Sequence, residues 1–222
     1  MVHVLDLLGC VANGPTTADA LEATPEAIRA FLRFMKRNGE AVDPQEPFTT
    51  RIAEHVMEGD WLGNGSPYLV FGPDLLPVTA DAIEGYFRRF ERLRDEIASW
   101  AEKQGDEQLD HVPASGGRSA RAILLHILGP TGAYLATAVG GTTGFSHIHT
   151  LAERGEIPVA AALRQTASMA AERALATTPE QRAAIIQRPK EVRTLRKAIR
   201  RTLEHDWEHL AELSRRPGGP AL

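Results

Sequence analysis

Two histidines one helical turn apart are the clearest chemical signal in the chain. His205 and His209 stand in the run EHDWEH. On a helix, positions i and i+4 share a face, so the two imidazoles can reach one ion. The same spacing occurs in the zinc-protease pattern His-Glu-x-x-His. That pattern fails here because Asp206, not a glutamate, follows His205. A di-iron carboxylate bundle also fits badly, since it needs Glu-x-x-His pairs from several helices and none is found. A pair alone does not make a site, and two solvated histidines on a charged helix are the competing reading. The neighbouring stripe of Leu195, Ile199, Leu203 and Leu210 argues for the interior, because His205 and His209 lie beside it. A third ligand is then required. His126 sits within RAILLHILG, where an imidazole is either a core group with its own partner or faces a cavity. With a histidine pair elsewhere in the same chain, one shared three-histidine site is the better explanation.

Elements must bring these residues together. Val2 to Leu8 is β-compatible and Gly9 ends it. Thr16 or Thr17 caps a helix whose face carries Ile28, Phe31, Leu32 and Met35, and Asn38-Gly39 closes it. After Pro44 and Pro47, the stretches 48–56 and 68–71 read as strands flanking a turn-rich segment, 59–67. Residues 1–76 therefore read as a small α/β domain, and 77–222 as helical. A helix from Thr79 carries Ile83, Phe87, Phe90, Leu93 and Ile97 at helical spacing. A polar loop with Pro113 and Ser115-Gly116-Gly117 follows. Residues 119–139 form a second apolar helix that Gly129-Pro130 should bend or break. A Gly-rich connection covers 140–155. Residues 158–175 make a third helix, 179–186 a short extra turn, and 191–213 a fourth helix. Four long helices with one long connection between the second and third predict a bundle with a crossover.

Residues 79–216 resemble the DinB-like (DinB/YfiT) four-helix-bundle proteins. The stretch SARAILLHILGPTGAYL carries His126 where that family has a second-helix histidine. The stretch TLRKAIRRTLEHDWEHLAEL carries His205 and His209 in the fourth-helix His-x-x-x-His pattern. Gly129-Pro130, just after His126, departs from the plain helix usual in the family. The resemblance implies one divalent metal, zinc or nickel, on His126, His205 and His209. It also implies a metal-dependent enzyme similar to the thiol-dependent S-transferases, acting on a low-molecular-weight thiol and an electrophilic small molecule. Asp206 and Glu208 are candidates to orient the ligands, against the ordinary reading of solvated helix charges. The N-terminal stretch VLDLLGCVANGPTTADALEATPEAIRAFL resembles the HicB-like antitoxin fold. This leaves an alternative function: a metal-stabilised, non-catalytic scaffold whose N-terminal domain binds a protein partner.

Composition narrows the classes further. The 222 residues carry 25 basic and 29 acidic side chains, a net charge of −4, which exerts no general pull on nucleic acid or anionic membrane. Hydrophobic residues at 43% suffice for a real core and exclude a disordered chain. No stretch was expected to approach the ~20 apolar residues of a membrane span. The N-terminus lacks the basic start of a signal peptide, and Cys10 stands alone, so no internal disulfide can form. A cytoplasmic protein, plausibly a homodimer, is the expectation. Cys10 reads as a buried structural thiol, because no base lies near it in sequence. The run Arg193, Arg196, Lys197, Arg200 and Arg201 reads either as an anion site or as a solvated face pairing with Glu91 or Asp95. Tyr134 and Trp207 read as packing or as pocket lining. His147 and His149 read as a solvated loop pair or a weak second chelate, and His3, His55 and His111 carry no pattern.

Overall fold

Apolar residues three and four apart, three of the runs opened by hydroxyl caps, become the four long helices of a bundle. The computed structural model describes residues 1–114, 116–141 and 143–222. Ser115, in the expected polar loop, lies outside the described residues. Helix α1 spans Thr17–Arg37, and Thr16 closes a capping box with Asp19. The bundle proper consists of α2 (Ala80–Ala101), α4 (Ala120–Val139), α6 (Val159–Leu175) and α8 (Leu195–Ser214). Thr79, Ser119 and Thr194 cap α2, α4 and α8 by accepting from the amides of Ala82, Ala122 and Lys197. Short helices α3 (Asp106–Asp110), α5 (Thr143–Glu153) and α7 (Pro179–Ala183) fill the connections. Helix α2 packs on α6 and α8, and α4 packs on the same two, so α2 and α4 lie diagonally across the bundle. The long crossover between α4 and α6 is present and contains α5.

The core runs through every helix but α7. Leu93, Ile97, Ile123, Leu124, Ile127, Leu163 and Leu210 are buried in one cluster. Helix α1 joins that cluster: Phe31 meets the Trp207 ring edge-on at 4.8 Å, and Phe34 lies 5.4 Å from it. Gly9 lets the N-terminal segment approach α8. It holds φ +105°, and a Cβ there would stand 3.0 Å from Leu203 Cβ.

Several expected elements differ. Strand β1 is only Val2–His3, paired antiparallel with β2 (Val11–Ala12). The strands expected at 48–56 and 68–71 are irregular. Neither pairs with a strand among the described residues, and side chains anchor the backbone instead. Arg29 donates to the carbonyls of Pro44 and Glu46 and stacks on Phe48, while Glu54 accepts from the amide of Gly72. The sheet implied by the HicB-like resemblance does not form among the described residues. Pro130 does not interrupt α4, which is continuous through it. The connection at 140–155 is largely helix α5, because Phe145, Ile148 and Ala152 are buried on one side. Gly132 of α4 permits that packing, since a Cβ there would meet Phe145 Cβ at 2.7 Å. The fourth helix begins at Leu195, not Glu191. The preceding residues form a hairpin of β3 (Ile186–Arg188) and β4 (Glu191–Arg193), turned at Pro189-Lys190. Contrary to expectation, α4 is long and apolar enough to cross a membrane by length and composition alone. Here it is a core helix, packed on α5, α6 and α8.

Candidate metal centre

Helices α4 and α8 bring the three histidines together. One ring nitrogen from each of His126, His205 and His209 lies within 4.8 Å of the other two. His205 Nε2 and His126 Nε2 are 3.2 Å apart. Two nitrogens bound at ~2.0–2.1 Å to one tetrahedral ion lie about 3.3 Å apart, so this spacing fits a shared metal. His205 and His209 are buried, and His126 is exposed, which leaves one side open. Their rings pack edge-on, with centroids 4.6 Å apart for His205 and His209.

Carboxylates stand behind the two helical partners. His209 Nδ1 is 2.7 Å from Glu212 Oε2, which also accepts from Arg118 at 2.8 Å. His205 Nδ1 is 3.5 Å from Asp206 Oδ1. Nδ1–H facing a carboxylate leaves Nε2 free to ligate. Burial lowers the pKa of His205 to about 4, with His209 and His126 adding to the effect against the opposing Asp206. Burial and then His209 also lower that of His126. Both rings are therefore neutral at physiological pH, the form that ligates. The hydrogen bond from His209, aided by Arg118, lowers the pKa of Glu212.

Of the two carboxylates expected to orient ligands, Asp206 lies beside His205. Glu208 instead accepts from Asn13 Nδ2 at 3.2 Å. Glu212, not Glu208, stands against His209 Nδ1. Its signal was its position three residues after His209, which places it over the same face. Most of the basic run is neither a solvated face nor an open anion site. Arg200 forms a bidentate pair with Asp74, and both Arg200 and Arg201 donate to Glu204. Lys197 pairs with Glu191. Asp95 pairs with Arg164 instead, and Glu91 accepts from Ser168. His3 carried no pattern in the sequence, yet its Nδ1 contacts buried Glu204 at 2.8 Å. Tyr134 lies beside the centre, its ring 6.0 Å from that of His205 and under the Arg201 guanidinium. Trp207 is buried packing. His147 and His149 sit on α5, where residues two apart point to different sides, so they do not form one chelate.

The fold and the site define a class: helical bundles with a histidine triad shared between two helices. The chain belongs to the DinB superfamily, whose family model matches residues 89–213, more than half of its length. That superfamily is metal-binding. Comparison with curated proteins and with solved structures gave no match.

Proposed function

We propose that this protein binds one divalent metal through His126, His205 and His209 and acts as a metal-dependent enzyme similar to the thiol-dependent S-transferases. The observation that carries this reading is the triad itself: three ligand nitrogens within 4.8 Å, buried on the α8 side and open at His126. Zinc or nickel suits imidazole ligands. Such an ion supplies Lewis acidity, lowering the pKa of a bound water or thiol. The protein's own groups then divide the work. Glu212 and Asp206 hold the α8 rings, and the exposed His126 edge leaves room for a low-molecular-weight thiol and an electrophile. The lone buried Cys10 suits a reducing, cytoplasmic setting.

The test is metal content by mass spectrometry of the purified protein, compared with the His205→Ala, His209→Ala double variant. Near-stoichiometric zinc or nickel in wild type and none in the variant is expected, followed by thiol-transfer turnover that needs the metal. A second reading keeps the metal but not the turnover: a scaffold whose N-terminal part docks a protein partner. Exposed Ile52, Val56, Met57 and Trp61 favour it. Metal-loaded protein that is inactive with a panel of thiols and electrophiles, and closed to exogenous ligands, would select it.

A further inference from the structure

We infer that Arg94 and Asp206 are positioning residues for the centre, fixing His205 with Nδ1 protonated and Nε2 aimed at the other two histidines. The inference rests on the metal reading above only for its affinity arm. Arg94, on α2, is completely buried, yet it contacts neither histidine of α8 directly. Its guanidinium instead ties all four bundle helices at the level of the site. Nε donates to Asp206 Oδ2 at 2.6 Å, on α8. A second nitrogen donates to Thr166 on α6. The third donates to Thr131 and, at 3.1 Å, to the carbonyl of Ile127, both on α4.

Two of those partners adjoin ligands. Asp206 follows His205, and its Oδ1 lies between the guanidinium, at 3.4 Å, and His205 Nδ1, at 3.5 Å. Ile127 follows His126. Pro130 has no N–H, so the His126 carbonyl lacks the donor that an i+4 amide would provide. Arg94 binds the very next carbonyl. One rigid, five-donor fork thus restrains the neighbours of a ligand on each of the two helices that form the site. With Oδ2 held tightly by Arg94 at 2.6 Å and Oδ1 only loosely at 3.4 Å, the carboxylate keeps a lone pair of Oδ1 turned toward His205 as an acceptor. An acceptor there favours the Nδ1–H tautomer. His205 Nε2 then carries a lone pair, and the 3.2 Å contact makes His126 Nε2 the donor in the metal-free protein.

The test uses the full chain, ring tautomers from long-range proton–nitrogen NMR of the metal-free protein, and titration with cobalt(II) followed by its visible absorption. Wild-type His205 should be Nδ1–H. Asp206→Asn should lose the single tautomer and bind cobalt about 10–100-fold more weakly. Because that variant strands a buried arginine, the double variant Arg94→Met, Asp206→Leu removes both charges while keeping an apolar fill. It should show the same weakening with native circular dichroism. A wild-type His205 protonated on Nε2 overturns the inference, whatever the variants do. So does cobalt affinity equal to wild type in a folded variant that retains the tautomer. If wild type takes up no cobalt, the metal reading falls, and the tautomers alone decide the positioning role.

Discussion

Glu212 shows how a single side chain sets the state of its neighbour. Its 2.7 Å contact with His209 Nδ1 leaves Nε2 directed at the triad. Replacing Glu212 by Gln keeps the shape and removes the charge, so metal affinity should fall by roughly tenfold while stability changes little. Competition with a chromophoric chelator measures the first, and thermal unfolding the second. Cys10 makes a contrasting case. Burial, with Glu204 nearby, pushes its thiol up to about 12. The thiolate is the reactive form, so Cys10 should resist thiol reagents in the native protein and react promptly in denaturant. Rapid labelling under native conditions would contradict the buried packing.

Among the elements, α1 and the 3₁₀ turn at Gly72–Leu75 both brace α8 through buried side chains. Phe34 is fully buried against Trp207, so Phe34→Ala should cost about 3–5 kcal/mol, read as a lowered denaturation midpoint in urea. Asp74 sits in the 3₁₀ turn and accepts two bonds from Arg200 at 2.8 and 2.9 Å. Both side chains are almost wholly enclosed. Asp74→Ala leaves a buried guanidinium with one carboxylate fewer, for a comparable loss of about 3–5 kcal/mol. Replacing an exposed ion pair, such as Arg88 with Glu84, should change stability by less than about 0.5 kcal/mol, because water screens it.

Over the whole molecule, buried charge makes stability depend on pH. Burial alone would raise the Glu204 pKa, but Arg200, His3 and Arg201 overcome it and bring it down to about 2. A depressed carboxylate stabilises the fold fully above its unfolded value. That contribution is lost as pH falls from about 5 toward 2, because the unfolded chain takes up the proton first. Acid unfolding should therefore steepen across that window, and Glu204→Gln should flatten it in a series of denaturant midpoints. Metal acts on the same equilibrium from the other side. A ligand that binds only the folded chain, at one hundred times its Kd, adds about 2.7 kcal/mol. Zinc should raise the thermal midpoint, and a chelator should reverse the rise.

Spacing within single helices was legible without coordinates. Helical periodicity places His205 and His209 on one face, and the apolar surroundings of His126 demand a partner. The cap at Thr16 and the helix starts at Thr79 and Ser119 follow from local hydrogen bonding, which depends on residues three apart. The strands expected at 48–56 and 68–71 failed because β-propensity counts only where a strand pairs, and neither segment pairs among the described residues. Helix α5 was hidden because glycines at 140, 141 and 144 masked the burial of Phe145, Ile148 and Ala152. The partners of the charged residues were out of reach altogether. Arg94 meets Asp206 across 112 positions, and Asp74 meets Arg200 across 126. Nothing local distinguishes those arginines from solvated ones. The sequence by itself singled out His126, His205 and His209, since imidazole chemistry and helical spacing are properties of short segments. Only the tertiary structure decided which carboxylates and arginines stand behind those histidines, because a buried charge takes its partner from whatever helix the core packs beside it.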